Sequence, residues 1–91
     1  MKAELPFAVS VEIKGVTKAA TFSRLPDALE AVRTAVSHLP LDEDQADFLA
    51  DLFSPRSADR IARQLLEVGA MRVIVFVGIE PHPIYLCPAP D

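Results

Sequence analysis

Apolar and polar residues alternate strictly in FAVSVEIK, residues 7–14. Phe7, Val9, Val11 and Ile13 fall on one side, and Ala8, Ser10, Glu12 and Lys14 on the other. A period of two predicts a half-buried strand. Gly15 can take positive φ in a tight turn, so VTKAATF reads as the return strand of a hairpin. A two-residue turn at Lys14-Gly15 pairs Ile13 with Val16, Val11 with Lys18, Val9 with Ala20 and Phe7 with Phe22. From residue 23 the period changes. Leu25, Leu29, Val32, Val36 and Leu39 recur at steps of four and three, with Ala28, Ala31 and Ala35 beside them. Asp27, Glu30, Arg33, Thr34 and Ser37 fill the other side. This predicts an amphipathic helix, opened at Ser23 or Leu25 with Pro26 in its first turn and stopped by Pro40.

Two shorter helical patterns follow. In LDEDQADFLADLF, Asp42 and Gln45 have capping-box spacing, and Leu49, Leu52 and Phe53 form the apolar face, flanked by Ala46 and Phe48. In SPRSADRIARQLLEVG, Ser54 or Ser57 caps the start and Gly69 ends the helix. Ile61, Leu65 and Val68 point inward, with Ala62 and Leu66 beside them. A third strand spans Arg72 to Ile79. After it, four of the eight prolines fall at Pro81 and beyond, around a short extended piece from Ile84 to Cys87. Proline cannot donate to a ladder, so residues 80–91 are expected to form a brace or an edge and not a central strand. The fold class expected is α+β: a small antiparallel sheet of three to four strands with three helices on one face, in the order β-β-α-α-α-β plus a proline-rich tail. The 91 residues are enough for one domain with a modest core.

The third strand poses a problem of coverage. If Val73, Val75, Val77 and Ile79 join the core, Ile74 and Phe76 lie on the other face of the sheet, where no helix remains to cover them. Burying two such side chains is worth roughly 3–6 kcal/mol, a large part of the usual stability of about 5–15 kcal/mol. The tail, through Ile84, Tyr85 and Leu86, or a second molecule is expected to cover them. Ile74, Phe76, Ile84 and Tyr85 are therefore the candidate self-association residues of a homodimer.

Composition narrows the function. Hydrophobic residues make up 51% of the chain and charged residues 24%, which is globular and not disordered. A net charge of −4 argues against non-specific nucleic-acid binding. The single cysteine excludes an internal disulfide framework. The start MKAELPFAVS lacks a signal-peptide pattern, and no apolar run is long enough to span a bilayer, so a cytoplasmic location without membrane contact is expected.

Candidate chemistry is sparse. His38, His82 and Cys87 are the soft-ligand or nucleophile candidates, but each is isolated in sequence, so no catalytic or metal role and no cofactor is expected. His38 suits a helix C-terminus and Cys87 a small buried apolar position. Glu43, Asp44, Asp47 and Asp51 gather on one helix face without the glycine and alternation of a calcium loop, and form the candidate partner-binding patch. Arg56, Arg60 and Arg63 are the candidate nucleic-acid residues, on the second helix of a helix-turn-helix-like pair. Three aspartates on the preceding helix, and Asp59 and Glu67 within the basic stripe, oppose that use. No glycine-rich phosphate loop is present.

The layout FAVSVEIK…AATFSRLPDALEAVRTAVSHLP…SADRIARQLLEVGAMRVIV resembles a family of short alphaproteobacterial proteins of unknown function. Strand pair, helix entry, helix end before a proline and late Ala/Arg-rich helix are shared over residues 7–75. Leu39 stands where that family carries a tryptophan, and its mid-chain cysteine is absent. The resemblance implies no activity. The leading expectation is a non-enzymatic, acidic protein-binding module of the kind that includes phage or plasmid inhibitors and antitoxins. The alternatives are a DNA-binding regulator using the arginine-bearing helix and a purely structural domain.

Overall fold

The computed structural model describes residues 5–89; Met1–Glu4, Pro90 and Asp91, the last two part of the expected tail, lie outside the described residues. Strand β1 is Val9–Ile13 and strand β2 is Ala20–Phe22. Helix α1 is Leu25–Ser37, helix α2 is Glu43–Leu52 and helix α3 is Ala58–Glu67, the last preceded by a 3-10 turn at Pro55–Ser57. Strand β3 is Met71–Val77 and strand β4 is Glu80–Pro88. All pairings are antiparallel, in the order β2-β1-β4-β3. The class is α+β, as expected.

The segment expected as a brace or edge is instead a central strand. β4 pairs with β1 from Val9↔Pro88 to Ile13↔Ile84 and with β3 from Met71↔Leu86 to Val77↔Glu80. Its prolines survive there because successive residues address opposite neighbours. The Lys14 N–H donates to the Pro83 carbonyl at 2.9 Å and the Ala89 N–H to the Ala8 carbonyl at 2.9 Å, so odd-numbered residues of β4 face β1. Pro81 then points past the end of β1, and Pro88 points past the start of β3. Only Pro83 lies opposite a residue, Lys14, that needs a donor. His82 Nδ1 lies 2.7 Å from the Lys14 carbonyl and replaces the missing N–H. A carbonyl only accepts, so Nδ1 carries the hydrogen.

That contact also explains the hairpin. Gly15, at φ +80°, packs so tightly under His82 that a Cβ would lie 2.8 Å from Nδ1. The Val16 and Thr17 N–H groups both donate to the Ile13 carbonyl, and Thr17 Oγ1 accepts from the Ile13 N–H at 3.2 Å. The turn is therefore wider than two residues. The observed pairs are Val9↔Phe22 and Val11↔Ala20, two residues away from the expected register. A shift of two keeps every side chain on its face, so the alternation could not distinguish the registers; the turn did.

All three helices contribute to one core. Val9, Val11 and Ile13 of β1, Ile84 and Leu86 of β4 and Val75 of β3 meet Leu25, Leu29, Val32 and Val36 of α1, Leu49 of α2, Phe53, and Ile61 and Leu65 of α3. Several expected details change. Arg24, without a side-chain bond, precedes α1 in place of Ser23 or Leu25. Neither Ser54 nor Ser57 caps a helix through its side chain. Ser57 instead donates to the Asp51 carbonyl at 3.1 Å, closing α2. Arg33, assigned to the solvent side, reaches the Phe53 carbonyl at 2.6 Å and pins the end of α2 to α1. Val68, expected inside, is 69% exposed, because α3 ends at Glu67 and Gly69 turns the chain at φ +89°. Ile79, also expected inside, is 94% exposed: β3 stops at Val77, and Gly78-Ile79 form the two-residue turn into β4. Gly78 at φ +67°, followed by a residue without positive φ, fits a turn with glycine at its first central position.

Leu86→Ala should lower the unfolding free energy by about 2–5 kcal/mol, while Val68→Ala should change it by less than about 0.5 kcal/mol, as measured by urea denaturation. In the same assay His82→Ala should cost about 0.5–1.5 kcal/mol, the net effect of exchanging one exposed hydrogen bond to the Lys14 carbonyl for water.

Candidate functional site

The residues singled out by sequence are scattered. Glu43, Asp44, Asp47 and Asp51 all lie exposed along α2. Glu43 and Asp44 occupy its first turn, where the helix dipole favours carboxylates. Asp51 meets Arg56 at 3.4 Å in a fully solvated pair, which contributes little to stability. Arg56 sits on the 3-10 turn and not on α3 with Arg60 and Arg63, so the three do not form one helical stripe. Arg60 turns back to the Ser57 hydroxyl at 3.3 Å. A duplex approaching Arg56 would meet Asp51 as well.

His38 follows the last residue of α1 and is exposed, whereas His82 is engaged with the β1–β2 turn. Cys87 is half-buried on the helix-free face of the sheet, opposite Ser10, and does not join the core as expected. Among the described residues, no three His, Cys, Asp or Glu side chains come within reach of one metal ion. The hollow between α1 and the β1–β2 hairpin is lined by Val11, Ile13, Ala20, Phe22, Ala31 and Val32, with Lys18 and Thr17 as its polar members. It brings together no acid, base and nucleophile.

Two exposed apolar residues, by contrast, share one face of β3. Ile74 and Phe76 face away from the helices, as expected, and are 44% and 49% exposed. The tail does not cover them. Pro83 and Pro81 stand beside them in β4, and Tyr85 shares their face next to Arg72. Ile84 does not belong to this patch: it points the other way and is fully buried under the helices, as is Leu86, because neighbouring residues of a strand alternate faces. Phe48 of α2 is 60% exposed, one helical turn beyond Gln45.

Gln45 shows where this cluster sits. Its Oε1 accepts from the Phe76 N–H at 2.7 Å, and its Nε2 donates to the Phe76 carbonyl at 2.8 Å. A side-chain amide thus imitates one residue of a neighbouring strand. Phe76 can offer both groups because β3 is the sheet's edge. Met71, Val73, Val75 and Val77 address β4, whereas Arg72, Ile74 and Phe76 point outward. At the other end, Gln64 Nε2 donates to the Ala70 carbonyl at 3.3 Å. Between these two glutamines, the N–H and C=O groups of Arg72 and Ile74 face outward with no protein partner among the described residues. Sequence reasoning missed both glutamines. Gln45 reads as a capping residue, and its backbone N–H does bond Asp42 Oδ2 at 3.0 Å and its Nε2 lies 3.4 Å from Asp42 Oδ1, but the shortest bonds of its side chain go to the sheet.

No family model, curated protein or solved structure matches the chain. No helix among the described residues is long and apolar enough to cross a membrane.

Gln45→Ala should speed amide hydrogen exchange at Phe76 by roughly three- to tenfold, the equivalent of one net hydrogen bond. Exchange at Val75, whose N–H is directed to β4, should not change.

Proposed function

We propose that this chain is a non-enzymatic protein-binding module that engages another polypeptide by strand addition at the outer edge of β3. One observation carries the reading. The backbone groups of Arg72 and Ile74 have no protein partner at a sheet edge among the described residues, and the exposed side chains of Ile74 and Phe76 flank that same edge, with exposed Phe48 one helical turn beyond the Gln45 that bonds it. Main-chain bonds supply affinity in this mode, and flanking side chains supply selectivity. Long open edges invite indiscriminate pairing, and folded proteins ordinarily blunt them. Here the blunting stops short of the middle. The other edge, β2, is only three residues long.

The acidic face of α2 takes a secondary place in this reading. Its carboxylates steer an approaching partner and set the association rate more than the lifetime of the complex. DNA binding through Arg56, Arg60 and Arg63 has no comparable support, since Asp51 accompanies Arg56 and the overall charge is −4.

The test is photo-cross-linking in the source cells. A benzoylphenylalanine residue in place of Phe48 should give one discrete protein adduct, with this chain or another. The same group in place of Leu66, which is exposed on α3 away from this cluster, should give none. Ile74→Pro removes an outward N–H and no bond of the β3–β4 ladder, and should abolish the adduct while the chain stays folded, as read by circular dichroism. If position 48 yields no adduct, or Ile74→Pro leaves it intact, the edge is not the binding surface. Replacing Asp44, Asp47 and Asp51 together with Asn should slow association and flatten its salt dependence, with the dissociation rate changed less than twofold, as read by surface plasmon resonance.

A further inference from the structure

We infer that the strand added at this edge is β3 of a second copy of the chain, related by a twofold axis through Val73. The inference rests on the edge reading above and names its occupant.

The open window is short. Gln45 closes the ladder at Phe76 and Gln64 closes it at Ala70, so only Arg72 and Ile74 are free to pair. These two positions are symmetric about Val73. In an antiparallel pair, a residue that directs its N–H and C=O to its neighbour must stand opposite one that does the same. A copy rotated about Val73 places Arg72 opposite the second copy's Ile74, and Ile74 opposite its Arg72. Both hydrogen-bonded pairs form, and every free backbone group in the window is used. Centring the axis on Ile74 instead would set Arg72 against Phe76, whose groups Gln45 already holds. Centring it on Arg72 would set Ile74 against Ala70, whose carbonyl Gln64 holds. The two glutamines therefore select one register.

The side chains agree with that register. On the helix face, Val73 meets Val73 of the second copy, and Met71 meets Val75. Met71 and Val73 are only half-buried in a single chain, although both border the core, and an adjoining strand covers them. The side-chain volume of Gln45 fills the position beside Phe76. That position falls opposite the second copy's Ala70, the residue before β3 begins, where the chain leaves the ladder towards the turn at Gly69. The result is one continuous sheet of eight strands with both helical layers on the same side. Such a closed twofold pair also removes the longer of the two sheet edges from solution.

Sedimentation equilibrium of the purified chain should give twice the 9.9 kDa chain mass, and Ile74→Pro should give a folded monomer. Register is read by cysteine pairing in a Cys87→Ser background. Val73→Cys should form an intermolecular disulfide with oxidised glutathione at least tenfold faster than Met71→Cys. Directly opposed residues of this pair type stand about 4.5 Å apart, whereas two copies of residue 71 would be offset by four positions, about 13 Å, beyond disulfide reach. A monomeric wild type overturns the inference, as does faster cross-linking at residue 71. If the chain is monomeric yet position 48 still cross-links to a different protein in cells, the edge remains the binding surface and only the identity of its occupant is wrong. If neither occurs, both readings fall.

Discussion

Everything in this fold depends on β4 bonding to both of its neighbours. Without it, β1 and β2 form a short hairpin under α1, β3 is an isolated strand after α3, and only helix packing joins them. β4 fastens the first elements of the chain to the later ones. It brings two of the core's fully buried large side chains, Ile84 and Leu86, beneath the helices. A strand with three prolines can do this only under a strict condition: each proline must direct its missing N–H where no acceptor waits, or another donor must stand in. Pro81 and Pro88 meet the first requirement and Pro83 the second, through His82. A proline moved by one position would address the opposite neighbour and remove a ladder bond from the middle of the sheet.

The same alternation shapes the surface. Because even-numbered residues of β4 address β3, the outward groups of β3 are those of Arg72, Ile74 and Phe76. Their side chains project from the face without helices. Backbone valency and apolar exposure thus coincide at one edge. The helices then intervene selectively. α2 is held in place by Leu49 and Phe53 inside the core and by Arg33 on the Phe53 carbonyl. From there Gln45 reaches Phe76, while Gln64 of α3 reaches Ala70. Neither glutamine reaches the middle of the strand. A sheet edge that is closed at both ends and open at its centre leaves free backbone groups for no more than a short strand in a restricted register, and this is what separates it from a long open edge.

Of the two expected covers for Ile74 and Phe76, the tail or a second molecule, the tail is excluded for a related reason. A tail paired in the sheet cannot also lie on top of it. Once residues 80–88 enter the ladder, Ile84 and Leu86 go to the core, and only Tyr85, Cys87, Pro83 and Pro81 remain for the helix-free face. That face stays partly apolar, with Ile74 and Phe76 about half exposed.

Periodicity alone determined a good deal. The period-two run at 7–14 specified a strand and its buried side, the four-and-three spacing from Leu25 to Leu39 specified α1, and the apolar stripes of α2 and α3 placed Leu49, Phe53, Ile61 and Leu65 inside. Facing is a local property, since one side of each element must leave water, and so Ile74 and Phe76 were legible as outward residues. Tertiary structure decided whatever depended on a distant partner. The hairpin register was degenerate by two residues until Gly15 met His82, 67 positions later in the chain. The prolines of β4 spoke against a central strand until their directions could be set against the ends of β1 and β3. Gln45 looked like a helix cap because the sequence places it beside Asp42, whereas its side-chain amide serves Phe76, 31 residues away. Those contacts follow from where the ends of the strands fall in space, and hydrophobic spacing holds no information about that.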